Sequence, residues 1–380
     1  MSTTSEYSEA PPKSVASVDP LELSRRRPEW SASRPMTRAQ KAVTAALFAA
    51  LALSAFCFPL RTAQALIAAC TAFYVVLTVY KFVVIRASLS PSAMLRFSPQ
   101  QIAAQEPREW PLFSILVPMY KEPETVKQMV ASLAAMDYPA DRKDVQILLE
   151  ADDAVTLAAA RALELPKGFR VTEIPESFPR TKPKACNIGL HLAKGEYLVI
   201  YDAEDLPEKD QLKKAVMAFE ASPANVVCVQ SRLNYYNPRQ NLLTRWFTAE
   251  YSAWFDLQLP GLAALNAVIP LGGTSNHFKT RVLQELMGWD AYNVTEDCDL
   301  GVRLARAGYT TRMLETTTWE EACSDLRFWI KQRTRWQKGY IQTWFVHMRN
   351  PFKLLRELGP VNFCHYHLLA RGSVDLVIES

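Results

Sequence analysis

Glu196-Tyr197-Leu198-Val199-Ile200-Tyr201-Asp202-Ala203-Glu204-Asp205 runs from an apolar stretch straight into three carboxylates. A short apolar run of this kind reads as a strand buried on both faces, which belongs in a parallel sheet covered by helices. Working outward, further strands are expected at 113 to 117, 145 to 150, 170 to 174 and 226 to 230. Amphipathic helical patterns lie between them, near 124 to 136, 154 to 164, 184 to 193 and 208 to 220. The alternation predicts an α/β domain with a mostly parallel sheet and flanking helices. Ligands of such sheets collect at the carboxyl ends of the strands. Lys121 and Glu122, Glu150 to Asp153, and Asp202 to Asp205 all fall there. Carboxylates this close repel one another, so a hard cation is expected beside Asp202. There is no G-x-G-x-x-G and no P-loop, which argues against dinucleotide-binding and ATP-hydrolysing sites.

Composition sets the frame. The 380 residues are 49% hydrophobic, enough for one large core with apolar sequence to spare. The net charge of +4 is small, and no basic segment is interleaved with aromatics, so no nucleic-acid partner is expected. Seven cysteines without a C-x-x-C pair argue against a disulfide framework or zinc site and for reducing, cytosolic surroundings. Residues 1 to 41 are expected to form a disordered basic cytoplasmic tail. The spare apolar sequence lies at Ala42 to Leu60 and Thr62 to Tyr80, each free of charge. Each run is close to the ~20 residues that cross a bilayer core. A transmembrane helical hairpin over 42 to 85 is therefore expected, turning near Pro59 and Arg61. Basic residues flank both outer ends, which places the tail and everything after the hairpin on the cytoplasmic side of an inner membrane. A linker over 86 to 109 then leads to the α/β domain at 110 to 350.

Two later motifs complete a constellation. Thr295-Glu296-Asp297 opens an evident helix, Asp297 to Ala307. Gln332-Arg333-Thr334-Arg335-Trp336 puts Gln332, Arg335 and Trp336 on one side of another helix, at i, i+3 and i+4. With Asp202-x-Glu204, in this order, these motifs resemble the signature of the membrane-bound family 2 glycosyltransferases, the cellulose-synthase-like polysaccharide synthases. The resemblance runs from about Trp110 to Arg349. It implies a GT-A-like fold and an inverting transfer of a sugar, glucose from UDP-glucose first, onto a growing beta-glucan or related polysaccharide at the cytoplasmic face of the bilayer. It implies that Asp202 and Glu204 hold Mg2+ or Mn2+ against the donor diphosphate. Glu122, Glu150 and Asp152 fall where the family recognises base and ribose, and the sequence leaves open which of Glu150, Asp152 and Asp153 makes the contact. Lys184 matches the family's basic residue within Arg180-Thr181-Lys182-Pro183-Lys184, and cations ahead of a helix suit a diphosphate.

On the acceptor side, the resemblance puts Gly273 and Thr274 under the acceptor end, with Glu296 beside them. An acceptor hydroxyl must lose its proton as it attacks, and the resemblance gives the role of general base to Asp297. Gln332 and Trp336 would hold the acceptor while Arg335 meets the diphosphate. Asp205 is read as a helix cap and His277 as a structural histidine. Processive members of the family carry further transmembrane helices after the Gln/Arg/Trp motif. Here Pro351 to Asn362 reads as the interfacial helix leading into them, while residues 371 to 380 are too short and polar to span. The chain is therefore expected to be truncated or to work with a separate membrane subunit. Two other readings stay open: a single-transfer enzyme with a lipid-linked acceptor, and a non-catalytic nucleotide-sugar-binding membrane subunit.

Overall fold

The computed structural model describes residues 15–375. Eight strands form one sheet in the order β3-β2-β1-β4-β7-β6-β8-β5. They are β1 (Phe113–Met119), β2 (Lys143–Glu150), β3 (Phe169–Ile174), β4 (Tyr197–Ile200), β5 (Leu206–Pro207), β6 (Val226–Tyr235), β7 (Asn276–Lys279) and β8 (Thr310–Glu320). β1 to β4 run parallel, β7 is antiparallel to both β4 and β6, and β6 is parallel to β8. The expected strands at 113, 145, 170, 196 and 226 are all present. Alternation explains why they are buried on both faces. Ile115 and Val117 of β1 pack with Val145, Val199 and Val216 on one side. Leu116 packs with Leu148, Leu198, Phe278 and Leu300 on the other.

The helices considered below are α1 (Arg38–Cys57), α2 (Pro59–Ser88), α3 (Val126–Ala134), α4 (Ala154–Arg161), α5 (Lys182–Leu192), α6 (Gln211–Glu220), α7 (Leu242–Ser252), α8 (Leu259–Ala264), α9 (Glu296–Arg306), α10 (Leu326–His347) and α11 (Pro351–Asp375). α3 to α6 stand where the amphipathic patterns predict them. α1 and α2 are long and apolar enough to cross a membrane, by length and composition. Thr37 caps the first with a capping box, and Pro59 at the start of the second breaks the pair apart. The lower end of α2 docks on the domain: a Cβ on Gly261 of α8 would fall 2.1 Å from the Val84 carbonyl oxygen, so glycine is what lets the two backbones meet.

The tail is not loose where it is described, since Leu23, Ser31 and Ala32 are buried. Ser31 Oγ and the Ala32 N–H donate to Asp290 at 2.9 and 2.5 Å, and Arg349 donates to the carbonyls of Pro28 (2.8 Å) and Ser31 (3.0 Å). A segment without apolar period folds here because distant buried side chains satisfy its backbone, which no local pattern reveals. Residues 1–14 lie outside the described residues. The linker also packs, with Met94 and Ile102 buried and Leu95 bridged to Leu314 of β8. The interfacial helix expected over 351 to 362 is interrupted at Gly359 (φ 73°), ahead of Pro360. Residues 376–380 are outside the described residues.

Candidate active site

β4 ends at Ile200 and the chain turns sharply. Asp205 makes that turn, because its Oδ2 accepts from the Asp202 N–H (2.8 Å) and from the Thr274 hydroxyl. Asp205 is 2% exposed and is no helix cap, since α6 starts only at Gln211. Thr274, expected against the acceptor, also has its Oγ1 3.0 Å from the Ile200 carbonyl oxygen, so that its one proton lies between two acceptors and fastens the loop after α8 to the end of β4. With the turn fixed, Asp202 and Glu204 line a cleft of about 350 Å3. Lys182, at the first turn of α5, pairs with Asp202 and donates to the Gly273 carbonyl at 2.9 Å.

The opposite wall comes from α9 and α10. Asp297 Oδ1 accepts from the Cys298 N–H at 2.7 Å, and a Cβ on Gly273 would stand 3.4 Å from Asp297 Oδ2. Glycine leaves this approach open. Burial pushes the Asp297 carboxyl up to about 6, against the pull of Lys182 and Arg335. Burial, then the Asp297 charge, push Glu296 up to about 8. Neutral pH therefore leaves Asp297 the better proton acceptor of the two. α10 reaches this turn through Gly339, whose added Cβ would fall 2.4 Å from Thr295 Cγ2. That closeness brings Gln332, Arg335, Trp336 and Tyr340 to the cleft. Gln332 Oε1 is buried with no hydrogen-bond partner among the described residues.

Arg333 lies between the expected motif positions and is 3% exposed. It makes a two-pronged ion pair with Glu250 of α7. Its guanidinium carbon sits 4.7, 5.1 and 4.9 Å from the ring centroids of Phe247, Trp329 and Trp336. It was not singled out by the sequence, because burial of a motif arginine is invisible to spacing. Glu250 and Tyr340 were also missed as cleft residues, and Lys182 was read only as one of the cations ahead of a helix that suit a diphosphate. The only legible hint was the density of cations from Arg180 to Lys184.

The remaining expected donor residues sit beside this cleft rather than in its lining. Lys184, expected to meet the donor, is fully buried and pairs with Glu150 at 2.9 Å. The pair is satisfied internally, since a buried lysine without a carboxylate would be costly. Asp152 pairs with Arg180 at 2.7 Å. Asp153 accepts from the Lys121 N–H (2.5 Å) and the Thr156 N–H (3.2 Å), capping α4. Glu122 is raised by burial and then by the charge of Asp202. His277 is buried in β7, with Nδ1 3.2 Å from the Val229 carbonyl and its pKa lowered to about 4 by burial.

Does this donor set suit a divalent cation? Burial first, then the charges of Asp202, Glu122 and Glu321, push Glu204 up to about 7. Among the described residues no group of three or more His, Cys, Asp or Glu side chains is arranged to hold a metal alone. Mg2+-type sites that share a metal with a diphosphate use only one or two protein carboxylates. Asp202 and Glu204, both facing the cleft, fit such a site.

Comparison with known proteins agrees with this geometry. The model of the glycosyltransferase-like family 2 matches residues 110–339, more than half of the chain. The chain belongs to that family. It is 24% identical over 255 residues to the probable glycosyltransferase YdaM of Bacillus subtilis, covering 66% of this chain and 60% of the relative. It is 27% identical over 241 residues to glucomannan 4-beta-mannosyltransferase 2 of Arabidopsis thaliana, covering 60% of this chain and 44% of that protein. The chain thus spans about half the length of these curated relatives. Among solved structures, the mannosyltransferase PcManGT of Pyrobaculum calidifontis, held with GDP-Man and Mn2+, superposes with a TM-score of 0.55 at 19% identity, over 82% of this chain and 89% of that one. The fold is GT-A-like, as expected.

Proposed function

We propose that this chain is an inverting hexosyltransferase that moves a sugar from a nucleoside diphosphate onto a polysaccharide end at the cytoplasmic face of a membrane. The observation that carries the reading is Asp297. Its carboxylate faces Gly273 across the same cleft that holds Asp202, Lys182 and Arg335. An acceptor hydroxyl seated over Gly273 gives its proton to Asp297 as its oxygen bonds to the anomeric carbon. The bond from that carbon to the diphosphate breaks, and the leaving group's charge is met by Arg335 and Lys182. One displacement inverts the anomeric centre. Trp336 offers a flat apolar face for the acceptor pyranose. Asp202 and Glu204 would hold Mg2+ or Mn2+, which when bound neutralises charge on the leaving diphosphate.

UDP-glucose is the first donor to test, as the cellulose-synthase-like resemblance implies. GDP-mannose is the second, because relatives bear the names of glucomannan mannosyltransferases. The apolar pair α1 and α2 supports residence in the bilayer, with basic flanks favouring a cytoplasmic catalytic domain. Transfer to a polysaccharide with help from a separate membrane subunit and single transfer to a lipid-linked acceptor differ in product length. The test is release of UDP or GDP by membranes carrying the chain, with Mg2+ or Mn2+, beside an Asp297→Asn control, together with product sizing. Release that persists in the control would remove Asp297 as base. No release from any donor, with nucleotide still bound, would leave a non-catalytic binding subunit.

A further inference from the structure

Lys182 stands where the acidic loops meet. Its ammonium pairs with Asp202 and donates to the Gly273 carbonyl at 2.9 Å. Its side chain keeps 29% of its surface exposed. Of the other cations nearby, Lys184 pairs with Glu150, Arg180 with Asp152 and Glu176, and Arg333 with Glu250, while Arg335 lines the cleft without an ion pair to Asp202 among the described residues. Of the two cleft-lining residues proposed for metal, Asp202 is the one that already pairs with a cation. A lysine is a compact charge on a four-carbon stem and can change partners by rotation alone.

We infer that Lys182 is a displaceable counter-ion: it neutralises Asp202 in the empty site, yields Asp202 to the divalent cation, and turns to an oxygen of the incoming diphosphate. The inference rests on the donor-site reading above. No bond to carbon is made or broken in this exchange; one ion pair replaces another. It has an unusual consequence. Removing a positive residue that competes for Asp202 should make Mn2+ bind better on its own, while the diphosphate, robbed of a partner, binds worse.

The experiment uses the full chain in detergent micelles and the variant Lys182→Met. Free Mn2+ is counted by electron paramagnetic resonance in the absence of nucleotide, and UDP and GDP binding is titrated at saturating Mn2+. The expected result is Mn2+ affinity raised about ten-fold and nucleotide affinity lowered about ten-fold, the size of one charge-assisted contact. Lys182→Arg, which keeps the charge, is expected to recover most of the nucleotide affinity. Should Lys182→Met not fold, Lys182→Gln, which keeps a donor for the Gly273 carbonyl, is measured in the same way. Wild type that binds both ligands, with a neutral variant whose Mn2+ affinity is unchanged or weaker, overturns the counter-ion role and leaves the donor site standing. Wild type that binds neither Mn2+ nor nucleotide brings down the donor-site reading, and the counter-ion role with it.

Discussion

Asp297 and Arg333 belong to neighbouring motifs and do opposite kinds of work. A base must be unprotonated to accept, and burial has pushed Asp297 up to about 6. Turnover should therefore be low below pH 6 and rise with pH through that value, because the protonated carboxyl cannot take the acceptor's proton. A kcat profile from pH 5 to 8 that stays flat would contradict this. Arg333 touches no reacting atom in the proposed chemistry. Its fork is closed on Glu250 and its faces lie against Phe247, Trp329 and Trp336, so it fixes the plane that Trp336 presents. Lysine keeps the charge and loses both the fork and the stacking. Arg333→Lys should raise KM for the acceptor several-fold with a smaller change in kcat, and Arg333→Met should cost about 3 kcal/mol of stability by stranding the Glu250 carboxylate. Acceptor kinetics and thermal unfolding of both variants decide the matter; an unchanged acceptor KM in folded Arg333→Lys would sink the positioning role.

At the scale of elements, the site depends on how closely α10 sits on the turn before α9. A Cβ at residue 339 would meet Thr295 Cγ2 at 2.4 Å and Oγ1 at 2.5 Å. Gly339→Ala should therefore push α10 outward, costing about 1–3 kcal/mol and displacing Trp336 relative to Asp297. Adding Thr295→Ala removes both nearest atoms and should restore part of the loss, which a double-mutant cycle on unfolding and turnover would reveal. If Gly339→Ala is as active as wild type, the close approach is not what sets the cleft. These contacts also mark the limit of what could be read in advance. β1 to β4, β6 and the helices between were legible because buried parallel strands are apolar runs with a fixed place in the alternation. β8 was not, since Thr310, Thr311, Thr316, Thr317 and Thr318 disguise a strand that is largely buried. The motif residues Asp202, Asp297, Gln332, Arg335 and Trp336 were legible as residues. Which basic side chain faces the cleft was not: Lys182 and Lys184 are two positions apart on one short turn, and only tertiary packing turns one towards Asp202 and buries the other on Glu150.

Across the whole molecule, residues 15–34 tie together parts that are far apart in sequence. Asn187 of α5 donates to the Pro20 carbonyl at 2.8 Å, Asp290 takes Ser31 and Ala32, and Arg349 after α10 holds Pro28 and Ser31. α5 carries Lys182, and α10 carries Arg335 and Trp336, so this strap fastens the backs of both cleft walls. Asp290 continues inward: its carbonyl accepts from the Asn293 N–H at 3.0 Å, and Asn293 in turn accepts from the Thr295 N–H at 3.1 Å and donates to Thr343 at 2.9 Å. Deleting residues 15–33 keeps the apolar pair but exposes the groove that buries Leu23 and leaves Asp290 without its two best donors. An abandoned buried carboxylate and a lost leucine contact should together lower stability by about 3–5 kcal/mol. At neutral pH the deletion should also reduce turnover more than nucleotide binding, because Asp290 leads to the turn that bears Asp297. Asp290→Asn tests the same link with the strap in place: it keeps the shape, removes the charge, and should give a smaller loss in the same direction. Thermal unfolding in detergent, with turnover and nucleotide affinity measured on the same samples, separates the outcomes. Equal melting temperatures in wild type and deletion would mean that the strap rests on the surface without holding it; a melting loss with turnover intact would mean that it stabilises the walls without setting their spacing.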